Sequence, residues 1–149
     1  MSIQKPKMIL FDYGHTLLYE IGHNAEKGNK AIYQYIKSNP KNISFQEFNK
    51  IVNSTFKKIN ECGNGIDICE KNFLRLVYGY MNIELSVSLE EAESIIWNGV
   101  SECDIMPNAN KILDYLNKND IRSGVISNMC WSGKSLKDRL NRLLPNNKL

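Results

Sequence analysis

Hydrophobic and polar positions follow two periods along this chain. Met8-Ile9-Leu10-Phe11 is an unbroken apolar run that stops at Asp12 and Gly14, which is how a short buried strand followed by a turn reads. From about residue 17 to 100 the apolar residues instead recur at helical spacing. Ala31, Ile32, Tyr35 and Ile36 predict a helix over about Ala25 to Lys37, weakened at Gly28 by about 1 kcal/mol relative to alanine. Phe45, Phe48, Val52, Phe56 and Ile59 predict an amphipathic helix ending near Gly63. Phe73, Leu74, Leu76, Val77, Tyr80 and Met81 mark another, denser in apolar residues, and Ala92, Ile95, Ile96 and Trp97 a fourth. Three starts carry a capping-box pattern, in which an N-cap oxygen stands three residues before a carboxylate that reaches back: Ser44 with Glu47, Asp67 with Glu70, and Ser88 with Glu91.

Beyond residue 100 the period changes again. Pro107 stands where a helix opens, with Ala109, Ile112, Leu113 and Leu116 on one face, and the pattern fails at Asn117-Lys118-Asn119-Asp120. A second apolar strand follows over Ile121 to Asn128, ending on the hydroxyl of Ser127 and the amide of Asn128. Leu136, Leu140, Leu143 and Leu144 form a last helical stripe, stopped by Pro145, and the tail after it reads as a loop cut short. The order is strand, helical block, helix, strand, helix. It predicts an α/β fold in which residues 1–16 and 101–149 form a discontinuous α/β core and residues 17–100 a helical insert.

Composition narrows the function classes. The chain has 149 residues, 42% hydrophobic and 23% charged, which suits about one soluble domain with a single real core. Its net charge of +3 comes from 19 Lys and Arg against 16 Asp and Glu spread without a basic block, so no nucleic-acid partner is expected. The apolar run before Asp12 is too short for a signal-peptide core and no stretch approaches membrane-spanning length, so neither a membrane partner nor export is expected and the expected compartment is the cytoplasm. Cys62, Cys69, Cys103 and Cys130 show no C-x-x-C spacing and read as reduced structural thiols.

The chemistry concentrates at the two strand ends. Open α/β sheets bind ligands in the crevice beyond the carboxyl ends of their strands, and Asp12 stands there. Gly14 permits a sharp turn and a close ligand, while the Thr16 hydroxyl can donate or accept. Taken alone, the segment also fits a buried strand with an Asx-type turn.

With Ser127 and Asn128 added, the chain resembles the haloacid dehalogenase-like hydrolase superfamily. The resemblance rests on Phe11-Asp12-Tyr13-Gly14-His15-Thr16-Leu17, the helical insert, and Gly124-Val125-Ile126-Ser127-Asn128. It implies a partial Rossmann-like core with two parallel strands and an inserted helical cap. It implies further that Asp12 is a nucleophile forming an aspartyl intermediate with a phosphoryl group on a small phosphorylated molecule. By resemblance, Ser127 holds a phosphoryl oxygen, with Asn128, Thr16 and the backbone N–H groups of Tyr13 and Gly14 completing the cradle. Mg²⁺ would be held by Asp12 and the Gly14 carbonyl, offsetting repulsion between carboxylate and phosphate.

The departures bear on turnover. The family's phosphatases carry a second Asp two residues after the nucleophile as general acid, and this chain has Gly14 there. His15, next to it, could serve as a substitute acid, since histidine titrates near neutrality; the alternative is an exposed or turn-packed histidine. The family's later lysine and acidic pair are not found in this sequence; Lys134, seven residues after Ser127, is expected to face solvent at the start of the last helix. An incomplete core leaves the strand Met8–Phe11 with an unpaired apolar edge, and such edges recruit partners, here a second copy. Alternatives are a non-catalytic phosphate-binding remnant, a haloacid dehalogenase attacking carbon without Mg²⁺, and, least compatibly, a phosphoacceptor receiver domain, whose acidic pair lies on the first strand.

Overall fold

The structure is a computed structural model and describes residues 5–63 and 68–149. Asp67, and with it the expected pairing of Asp67 with Glu70, lies outside the described residues. The chain is mixed α/β. In order it forms β1 (Met8–Phe11), β2 (Leu18–Ile21), α1 (Ala25–Tyr33), β3 (Ile36–Ser38), α2 (Phe45–Cys62) and α3 (Glu70–Met81). There follow β4 (Glu84–Leu85), α4 (Leu89–Val100), β5 (Glu102–Ile105), α5 (Ala109–Lys118), β6 (Arg122–Val125) and α6 (Gly133–Leu143). These elements sort into two compact units, one drawn from residues 1–21, 103–128 and 136–149 and the other from 22–102 and 129–135.

In the first unit β1 and β6 pair in parallel, with Met8 opposite Arg122 and Phe11 opposite Val125. The pairing continues past the strand ends, where the Ile126 N–H donates to the Phe11 carbonyl at 2.9 Å. Helix α5 buries Ala109, Leu113 and Leu116, its apolar stripe, and starts behind Asn108, which takes the left-handed conformation at φ 69°. Strands β2 and β5 form a second two-stranded sheet. The sequence pattern did not predict these two strands. Each has only four residues, and Glu102-Cys103-Asp104-Ile105 alternates exposed and half-buried positions instead of forming an apolar run.

The second unit holds α1 to α4 around Ile32, Phe48, Leu74, Val77, Met81 and Ala92. Ser44 caps α2 by accepting the Glu47 N–H at 3.3 Å. Ser88 caps α4 in a full capping box, its own N–H donating to Glu91 at 2.9 Å. Helix α3 begins at Glu70 with Cys69 at the N-cap position. The predicted helix over Ala25 to Lys37 stops instead at Tyr33. Ile36 enters β3 and pairs with Leu85 of β4, and the Tyr35 carbonyl accepts both the N–H and the hydroxyl of Ser86, at 2.8 and 3.0 Å. Pairing with a distant segment outweighs the local helical pattern there.

Gly28 has a packing role that its helix propensity conceals. A Cβ on Gly28 would lie 2.5 Å from the Val100 side chain and 2.9 Å from the Ile96 carbonyl. One on Gly99 would meet the Gly28 Cα at 2.9 Å. The two glycines let α1 and α4 approach backbone to backbone.

The segment 129–135 belongs to this helical unit and is held there by buried polar groups. Glu93, on α4, is fully buried. Its carboxylate accepts the Ser132 N–H at 2.6 Å, the Ser135 hydroxyl at 2.7 Å, and the Ser132 hydroxyl as well. The Cys130 carbonyl accepts the Glu70 N–H at 3.0 Å. Trp131 stacks on Trp97 with ring centres 5.1 Å apart.

Candidate functional site

Because β1 and β6 are parallel and in register at Phe11 and Val125, Asp12 and the Ile126-Ser127-Asn128 segment leave the sheet at the same end. Adjacent strands lie about 4.8 Å apart. The first unit therefore brings together the two segments on which the sequence placed its chemistry. Asp12 is exposed, Ser127 half-buried and Asn128 exposed.

The loop after Asp12 is a tight turn built on one carbonyl. Tyr13 accepts backbone N–H bonds from Leu17 at 3.1 Å and Leu18 at 3.2 Å, with Thr16 at 3.4 Å. The His15 N–H donates to the Leu18 carbonyl at 2.8 Å. His15 itself takes the left-handed conformation at φ 54°, which a residue with a Cβ adopts at a cost of about 1 kcal/mol or more. Such turns are tolerated where surrounding bonds fix them, and here the flanking bonds do so. His15 and Thr16 both face solvent, beside Asp12 in the chain.

The Tyr13 N–H does not point outward to a ligand. It donates to Oδ1 of Asp12 at 2.7 Å, holding one carboxylate oxygen against the backbone. The Tyr13 side chain goes the other way, into the first unit, where only 5% of the residue is exposed. Its phenol accepts from Nη1 of Arg139 at 3.2 Å, donates to Oε1 of Glu20 at 3.3 Å, and lies 3.4 Å from Sγ of Cys103. Burial, followed by the contact with Cys103, holds this phenol above the ordinary tyrosine range, so it stays protonated. Arg139 closes the cluster with an ion pair to Glu20 at 2.8 Å.

Glu20, eight residues after Asp12 in the chain, is thus committed to Arg139. Tyr19 donates to Asp104 at 3.5 Å, and His23 is exposed in the second unit. Lys134 is exposed in the first turn of α6. Arg139 was missed by sequence reasoning, yet its signal is visible. It lies three residues after Leu136 and one before Leu140, a charge within the apolar stripe of its own helix.

For a divalent cation the available oxygens are the Asp12 carboxylate and the Gly14 carbonyl. Mg²⁺ is commonly held by one or two carboxylates, with substrate phosphate and water filling the octahedron; these two groups supply two of six positions, and one Asp12 oxygen is already engaged by the Tyr13 N–H. Among the described residues no group of three or more His, Cys, Asp or Glu could hold a metal ion. None of the four cysteines forms a disulfide, and among the described residues no helix is long and apolar enough to cross a membrane. No protein-family model matches the chain, and no curated protein matches it.

Proposed function

We propose that the chain is a haloacid dehalogenase-like hydrolase acting on a small phosphorylated molecule, with Asp12 as nucleophile. The observation that carries this reading is the parallel register of β1 and β6, which sends Asp12 and Ser127 off the same end of one sheet. Oδ2 of Asp12 attacks phosphorus, an O–P bond forms, and the bond to the leaving oxygen breaks. The departing alkoxide takes a proton from His15 or from water. Water then attacks the same phosphorus, the bond to Asp12 breaks, and the carboxylate is regenerated with release of phosphate. Ser127 and Asn128 bind the phosphoryl oxygens, with Thr16 and the Gly14 N–H beside them. Mg²⁺, when bound at Asp12 and the Gly14 carbonyl, would supply charge neutralisation between carboxylate and phosphate.

Gly14 at the usual position of the general acid favours substrates with good leaving groups, since a general acid contributes typically about 10²–10⁴-fold. The test is Mg²⁺-dependent hydrolysis of p-nitrophenyl phosphate by the chain beside Asp12→Asn. Turnover by the parent and none by the variant is the expected result. Equal rates in the two proteins, or none in either, would overturn the hydrolase reading.

A second reading is phosphate binding without turnover. It is favoured by the small donor set for a cation, one carboxylate and one carbonyl, and by the commitment of Oδ1 to the Tyr13 N–H. Calorimetric binding of inorganic phosphate without hydrolysis of the aryl ester would select it.

A further inference from the structure

We propose that Arg139 is a positioning residue that fixes the carboxylate of Asp12 by way of Tyr13. The inference rests on the reading of Asp12 as the reacting group, and it concerns a residue some distance along the chain from either strand-end segment.

Tyr13 is the hub. At its backbone it grips Asp12 directly, through the N–H to Oδ1 at 2.7 Å, and it organises the turn through a carbonyl that accepts from Leu17 and Leu18. At its far end the phenol meets Arg139, Glu20 and Cys103, three residues contributed by α6, β2 and β5. The side chains of His15 and Thr16 are exposed, so packing does not hold the turn at those positions. Leu17 and Leu18 anchor the far side of the turn by burial, and the buried tyrosine with its oriented hydroxyl anchors the side that carries Asp12.

Arg139 orients that hydroxyl. Its side chain is 2% exposed, and Nη1 alone bonds both the Tyr13 oxygen and Oε1 of Glu20. A guanidinium is rigid and planar, so a donor shared between two oxygens constrains both. An apolar residue in the same stripe would fill the space without the desolvation penalty of a buried charge. What arginine adds is direction: it fixes the phenol, the phenol fixes the plane of residue 13, and the N–H of residue 13 sets the rotation of the Asp12 carboxylate. Small errors in placing a reacting group have large effects on rate.

The experiment uses the full chain and three variants, Tyr13→Phe, Arg139→Met and Arg139→Lys, with two readouts. The first is amide hydrogen exchange followed by NMR. Exchange at Tyr13, His15, Leu17 and Leu18 is expected to accelerate by roughly tenfold in both Tyr13→Phe and Arg139→Met, the equivalent of one ordinary hydrogen bond, while Ile9 to Phe11 stay as in the parent. The second readout is turnover of p-nitrophenyl phosphate with Mg²⁺. In Tyr13→Phe and Arg139→Met, kcat should fall by about tenfold or more with KM little changed, and Arg139→Lys should recover part of the loss. Unchanged exchange in the turn would overturn the proposal, as would a loss of activity that simply follows the folded fraction. If the parent chain shows no turnover, the hydrolase reading fails alone, and the exchange result decides whether Arg139 positions Asp12.

Discussion

Glu70→Gln should change how the stability of the helical unit depends on pH. Glu70 is 7% exposed at the start of α3. Its carboxyl is raised from the ordinary 4.5 to about 7, first by burial and then by the nearby negative charge of Glu93, against a smaller lowering by a hydrogen bond with Cys130. In the unfolded chain the group ionises near its ordinary value. Between pH 4.5 and about 7 the folded unit therefore binds more protons than the unfolded chain, and stability falls as pH rises through that window. It is fully present below 4.5 and fully lost above about 7. At roughly 1.4 kcal/mol per tenfold change in proton affinity, the whole effect is about 3 kcal/mol. Glutamine keeps an oxygen for the Cys130 thiol and cannot ionise.

Both tryptophans, Trp97 and Trp131, lie in this unit and stack on one another, so intrinsic fluorescence reports its unfolding without interference from the other unit. At pH 5 parent and variant should melt nearly together. At pH 8 the variant should be the more stable, by about 3 kcal/mol or roughly 6–12 °C for a chain of this size. Parallel pH profiles for the two proteins would refute the assignment of a buried, shifted carboxyl to Glu70. So would a variant less stable than the parent at pH 8.

Gly28→Ala should destabilise the same unit by about 1–2 kcal/mol, since overpacking against the Ile96 carbonyl and Val100 exceeds the roughly 1 kcal/mol that alanine gains in a helix; a higher denaturant midpoint by fluorescence would contradict the close approach of α1 and α4. Among the described residues β1 hydrogen-bonds only β6, and Met8 and Leu10 are 45% and 53% exposed. We therefore propose that two copies associate along β1, and sedimentation should show a dimer at micromolar concentration that Leu10→Lys converts to monomer; a monodisperse monomer for the parent chain would end that proposal.

The elements legible in the sequence were those with a strong period or a defined cap. β1 and β6 read as strands, although β1 alternates exposed and half-buried positions instead of being buried as its apolar run predicts; α2 and α4 announced themselves through Ser44 and Ser88, and α5 and α6 through their apolar stripes. What escaped was structure specified by distant partners. β3 exists because Tyr35 and Ile36 find Ser86 and Leu85, and a window around Ile36 contains no trace of that pairing. β2 and β5 are too short for alternation to rise above chance. At the candidate site the residue types at the strand ends were legible, whereas the occupation of the Tyr13 N–H by Asp12 was not, because it depends on the rotation of one side chain.

The two charges that the helical patterns left unexplained share a logic. Arg139 lies in the apolar stripe of α6 and Glu93 in that of α4, beside Ala92 and Ile96, and burial is nearly complete at both. Net stability does not by itself call for a charge at either position, because an apolar side chain of similar volume often serves a core as well. Each instead bonds a segment adjoining a strand-end segment: Arg139 reaches Tyr13, the residue after Asp12, and Glu93 holds Ser132, a few residues after Asn128. Hydrophobic contact is non-directional and leaves a polar loop free to rotate. A buried charge with several hydrogen bonds admits far fewer orientations, since every misplacement leaves a polar group unsatisfied in a dry environment. In this chain Arg139 fixes the residue after Asp12 within the first unit, and Glu93 fixes the segment 129–135 within the helical unit.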